Sequence, residues 1–230
     1  MTKTGIDLFE ETLIQEGLTD QNLETYEKLL RKAGDDWNRI QHCFLTAYQF
    51  PVDKVEEAAK LIEFGNERYA SEERYLIHSN QYLGLIYRRA GLYQKAYEVY
   101  ASIYQKFGDV KGTFPWNMLE SKLYADNFTY SVELEECIEL CQQESVFAKS
   151  FRDNKFKLAL ADYIVASHDS DIDKMKVAYS TICEVAASDY KGTLKDVLTK
   201  HKAIDVFHIT EECRVFLKGI SEAMEKGVGK

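Results

Sequence analysis

Residues 80–104 read NQYLGLIYRRAGLYQKAYEVYASIY, and the placing of small and aromatic residues in that stretch decides the fold. Leu83, Gly84 and Tyr87 fall on one face of a helix, Gly91 breaks it, and Tyr93, Ala96 and Tyr100 recur on one face of a second helix. A break this short folds the second helix back antiparallel to the first. The small residues Gly84 and Ala96 predict a close approach of the two backbones, with tyrosine rings filling the space around the contact.

The same spacing echoes outward along the chain. With Gly84 as the close-contact residue of a first helix, the matching positions are Thr46, Ala125 and Ala166, at steps of 38, 41 and 41. The second helices keep those steps through Ala58, Ala96, Cys137 and Ala178, all without bulk. Apolar periodicity predicts helices over 6–16, 20–33, 36–49, 52–69, 72–90, 92–107, 115–127, 131–146, 150–167, 171–187, 193–203 and 206–225. Thr19 is the expected N-cap of the second, with Leu18 and Leu23 as a hydrophobic staple around it. Gly34, Gly91 and Gly108 supply helix ends, the HDSDID run at 168–173 supplies a connection with capping aspartates, and Pro51 and Pro115 fall between helical patterns.

The 80–104 hairpin resembles a tetratricopeptide repeat (TPR): Leu83, Gly84, Tyr87, Gly91, Tyr93, Ala96 and Tyr100 match signature positions. Asn80 stands where a bulky aromatic is usual, Ile103 where a second alanine is usual, and Gly108 near the place of a closing proline. Steps near 40 exceed the roughly 34 residues of a standard unit, which marks a divergent, irregular array. The resemblance implies an all-α fold, a right-handed superhelix of antiparallel helix hairpins (a TPR-like α-solenoid), forming a single domain over 1–230.

The resemblance also implies a site, because the first helices of such hairpins line a concave groove. Carried onto this sequence, the groove positions are His78, Gln81, Leu85, Arg88 and Arg89, then Lys122 and Asp126, then Tyr163. Arg88, Arg89 and Lys122 together would favour an acidic or carboxylate-bearing segment, arginine offering a two-pronged fork and lysine a point charge. Arg88 and Arg89 read equally well as solvated residues near a helix end, favoured there by the helix dipole. The implied function is a non-enzymatic protein or peptide binding module with no cofactor.

Composition bounds the alternatives. With 230 residues, 45% hydrophobic and 29% charged, the chain suits a soluble helical domain. Its longest uncharged stretch, which takes in Gln41 to Val52, falls short of the roughly 20 apolar residues a membrane helix needs. The acidic start MTKTGIDLFEE gives no secretory signal and predicts a cytoplasmic location. A net charge of −9 repels phosphates and argues against nucleic acid. Residues 1–36 hold nine acidic and four basic residues, the wrong sign for a DNA reader. The same charge keeps a second function open: a stand-alone inhibitor or immunity-type protein whose acidic surface occludes a basic toxin or nuclease.

Chemistry has no clear address. Phosphate loops, nucleotide-binding glycine runs, nucleophile elbows and zinc-protease motifs are all missing from the sequence. Five cysteines (Cys43, Cys137, Cys141, Cys183, Cys213) are odd in number and irregular in spacing, so they read as small core residues. His201, Asp205, His208 and Glu212 share one helix face and could present metal ligands. They also fit the polar face of a helix whose apolar face carries Ile204, Phe207 and Val215, and no second ligand-bearing segment completes a site, so no metal is expected. The glutamate runs at 56–63 and 133–139 read as solvated helix faces.

Overall fold

The structure is a computed structural model that describes residues 5–108, 113–190, 194, 198 and 210–225, with 188–190 in backbone only. Among the described residues every regular element is helical, as expected for an all-α chain. The helices are α1 (Gly5–Glu16), α2 (Asp20–Leu30), α3 (Asp36–Gln49), α4 (Val55–Tyr69), α5 (Glu73–Arg89), α6 (Tyr93–Phe107), α7 (Phe114–Ala125), α8 (Val132–Gln143), α9 (Val146–Ser150), α10 (Arg152–His168), α11 (Ile172–Tyr190) and α12 (Glu211–Glu225). A single 3-10 turn at Val52–Lys54 precedes α4. Of the expected helix at 193–203, the described residues include Leu194 and Leu198, both helical. Packing groups the chain into two compact units, 1–108 and 109–230, which are described in turn.

In the first unit, side-chain caps set the helix starts. Thr19 accepts the Asn22 amide at 3.1 Å and Asp35 accepts the Asn38 amide at 2.9 Å, each satisfying an N–H the helix leaves open. Gly91, at φ +72°, makes the left-handed turn that folds α6 back on α5. Leu13, Tyr26, Leu30, Ile40, Leu61 and Ile62 are fully buried in one cluster, each apolar side chain stabilising by about 1.5–3 kcal/mol. Within the α5/α6 hairpin the closest neighbour of Gly84 is the ring of Tyr100, which crosses the bare Cα where the sequence suggested Ala96. Ala96 is itself fully buried.

Helices α3 and α5 lie side by side and parallel. Trp37 meets Tyr75 at a centroid distance of 5.1 Å and Phe44 stacks on Tyr82 at 4.5 Å, both pairs 38 positions apart. That offset equals the step between Thr46 and Gly84 in the sequence. The second helices α4 and α6 are linked by Lys95 and Glu56, 39 apart and 2.9 Å from one another. Gly65 on α4 faces Cys43 on α3, where a Cβ would lie 2.8 Å from the cysteine Cβ.

In the second unit, α7 and α8 form one hairpin and α10 and α11 another. Pro115 sits in the first turn of α7, where its missing N–H costs nothing. Asp171 caps α11 by accepting the Lys174 amide at 3.0 Å, as the HDSDID run predicts. Helix α10 runs beside α7 through an ion pair between Lys157 and Glu120. Phe216 of α12 stacks on Phe128, and the Tyr179 hydroxyl of α11 reaches Ser221 of α12 at 3.2 Å. Of the small positions read from the sequence, Ala166, Cys137 and Ala178 are buried and Ala125 is half-buried. No helix among the described residues is long and apolar enough to cross a membrane.

Candidate functional site

The parallel pair α3/α5 presents a continuous aromatic face. On α3 the residues Trp37, Gln41, Leu45 and Tyr48 follow steps of four, four and three, one face of a helix. On α5, Tyr75, His78, Tyr82, Leu85 and Arg89 follow steps of three, four, three and four, again one face. The rings interlock across the pair. His78 meets Trp37 edge-on at 5.1 Å, Phe44 underlies Tyr82, and Tyr82 meets Tyr48 edge-on at 5.7 Å. Phe44 and Tyr75 are buried, whereas Leu45 is 44% and Tyr48 39% exposed, and Trp37, His78 and Tyr82 are half-buried. The face therefore pairs a buried aromatic floor with ring edges and an aliphatic side chain left in water.

Arg89 holds one end of this face. Its guanidinium donates to the backbone carbonyls of Tyr48 and Phe50 and lies 4.8 Å from the centroid of the Tyr48 ring. Those carbonyls end α3 and have no partner within it, so a fixed cation there offsets both the open acceptors and the negative end of the helix dipole. The cation over the ring also fixes Tyr48 in place. Arg89 thus reads as a clamp between α5 and α3, its N–H groups turned toward backbone. Leu85 is half-buried on the ring face, and Gln81 and Arg88 are half-buried one step around from it.

The remaining sequence candidates lie in the second unit and serve its interior. The Lys122 side chain is only 8% exposed, with its ammonium 3.0 Å from Asp126 and 3.8 Å from Glu133. Asp126 also accepts the Ser131 hydroxyl, which in turn accepts the Leu134 amide, so the group ties α7 to the start of α8. Tyr163 is buried against Phe216, and burial raises its phenol above the usual range. Lys122, Asp126 and Tyr163 act as packing and capping residues where they stand.

Several contacts have no counterpart in the sequence patterns. Glu10 accepts from Tyr26 at 2.8 Å and meets His42 Nδ1 at 2.8 Å, knitting α1, α2 and α3. Glu57, in a run read as solvated, accepts the Leu18 amide at 2.8 Å. The buried face of α12 carries Cys213, Leu217 and Ile220, while Val215 is exposed, which corrects the apolar stripe expected through Val215. His201, Asp205 and His208 lie outside the described residues. Among the described residues no group of three or more histidine, cysteine or carboxylate side chains is placed to hold a metal. Cys43, Cys137, Cys141 and Cys213 are buried and form no disulfide with one another, and burial pushes the Cys137 and Cys213 thiols up to about 12.

No family model, no curated protein and no solved structure matches this chain.

Proposed function

We propose that this chain is a non-enzymatic binding module of TPR-like superhelical build, and that the α3/α5 face holds a peptide segment of a partner protein. The observation that carries the reading is the partly exposed aromatic ladder of Trp37, His78, Tyr82 and Tyr48 across two parallel helices. Aromatic rings held rigid by their neighbours offer large contact area with little ordering cost, which is what recognition of an apolar or aromatic side chain requires. The 38-residue offset of α5 from α3 supports the repeat build, since stacked hairpins place their first helices in parallel at a fixed interval.

The chemistry favours rings over carboxylates. Arg89 turns its donors to two backbone carbonyls and Lys122 faces two acidic side chains. A carboxylate ligand would share or compete for these donors, whereas an apolar side chain needs only the exposed edges of Tyr48, Tyr82 and Leu45.

A random peptide library selected against the purified chain tests the proposal. The chain has 2 tryptophans, Trp37 and Trp116, so in a Trp116→Phe background the emission of Trp37 reports on the face alone. Recovered peptides should be rich in aromatic or aliphatic residues and should shift that emission to the blue on binding. Peptides that bind tightly and leave Trp37 emission unchanged would place the binding surface elsewhere.

A further inference from the structure

The second unit carries a separate concavity that plays no part in the aromatic face. Helices α8, α10 and α11 surround a groove of about 640 Å³. Its floor is apolar, built from Ile138, Leu158, Ala159, Val165 and Ala166, and its wall includes Val177, which is 69% exposed. Leu158, Asp162 and Val165 follow helical steps along α10, with Asp169 just past its end, and Asp173, Val177 and Thr181 follow them along α11. Adjacent helix faces with an apolar floor left open by the described residues have the shape in which a further amphipathic helix beds down.

Charge selects which helix. Among the described residues five carboxylates line the groove, Glu135 and Glu139 from α8, Asp162 from α10, Asp169 just past its end and Asp173 from α11, against two lysines, Lys155 and Lys174. Both lysines face other acids, Lys155 at 3.3 Å from Glu184 and Lys174 at 3.2 Å from Asp171. Asp162 is half-buried, and among the described residues no hydrogen bond or ion pair reaches it. Its carboxyl is pushed up to about 6 by burial alone. A carboxyl in that position gains most from an incoming cation, since the partner would supply what the fold does not.

We propose that this groove docks a cationic amphipathic helix of a partner protein, its apolar side chains on the Ile138–Leu158–Val165 floor and its lysines or arginines over the acidic rim. An acidic helix of the same shape is rejected by like charge along both edges. The groove stands independently of the α3/α5 face, so either surface can fail its test without the other.

The test uses a labelled helical peptide of about four turns, leucine on one face and lysine on the other, with a twin carrying glutamate for lysine. Fluorescence anisotropy with the full chain should show binding of the lysine peptide and none of the glutamate twin. Glu139→Lys/Asp173→Lys, both at exposed positions, should weaken binding by about tenfold while the melt stays close to wild type. Glu16→Lys/Glu24→Lys, the same charge change on the first unit, should leave binding close to wild type. Asp162→Asn should weaken binding while holding or raising the melting temperature, because it removes a half-buried charge that no described residue pairs. Equal weakening by the two double variants would reduce the effect to bulk attraction and overturn the proposal. So would equal binding of the glutamate twin, or self-association of the chain that Glu139→Lys/Asp173→Lys abolishes.

Discussion

Tyr100 lies over the bare Cα of Gly84: a Cβ built on that glycine would sit 2.3 Å from the ring's Cζ and 2.5 Å from Cε1. The contact sets the distance between α6 and α5, and α5 supplies half of the aromatic face. Packing on one side of the helix thereby positions the side proposed to bind.

Gly84→Ala should lower stability by about 1–3 kcal/mol through overpacking, although alanine at an unhindered helix position would gain about 1 kcal/mol. Pairing it with Tyr100→Leu removes the obstructing ring, so the double variant should be more stable than the sum of the single effects implies. Urea unfolding of the four proteins measures that coupling. Strict additivity would mean that the two residues do not touch.

Gly65→Ala makes the same argument where no sequence signature flags it. Its new Cβ would lie 2.8 Å from Cys43 Cβ and 3.1 Å from the sulfur. Cys43→Ala keeps the nearer of those atoms and should relieve little of the cost. A Gly65→Ala protein that melts above wild type would show that α3 and α4 can part freely.

The Glu10–His42 contact gives a pH dependence with a definite sign. The hydrogen bond to Glu10 raises the His42 pKa, against a smaller opposing effect of burial. A folded-state pKa above the unfolded value of about 6.5 means that the contribution is fully present below about pH 6.5 and is lost as pH rises through the folded value. The melting temperature of wild type relative to His42→Gln should therefore fall across that window. A difference that stays constant with pH would contradict the assignment.

Lys157 and Glu120 form an ion pair between α10 and α7 with both side chains largely buried. Lys157→Met strips the carboxylate of this partner and should cost up to about 3–5 kcal/mol. Adding Glu120→Leu should recover most of the loss, because two apolar side chains need no mutual pairing. Thermal melts of the single and double variants decide it.

The 38-residue step from α3 to α5 was legible in the sequence, because a close helix contact demands a small residue and Thr46, Gly84, Ala58 and Ala96 meet that demand at this step. Helix ends were legible for the same local reason, through Thr19, Gly91 and Asp171. The charges were harder to read. Arg89 and Lys122 look alike in sequence, as cations on first helices, yet one clamps two carbonyls and the other is buried between carboxylates. Pairing of that kind depends on partners 4 to 41 positions away and on burial, neither of which periodicity reveals. The aromatic ladder was half visible: His78 and Leu85 were placed from α5, but Trp37 and Tyr48 joined them only when α3 came alongside.

The most direct test of the α3/α5 face is the affinity of a selected peptide for wild type and for Leu45→Glu/Tyr48→Ser, read by titration calorimetry beside a thermal melt. Both side chains are partly exposed, so the melt should change little. The account expects binding to weaken by more than about tenfold, as loss of a central aromatic anchor does at interfaces. Unchanged affinity in the double variant, with the fold intact, would contradict the claim that this face holds the peptide.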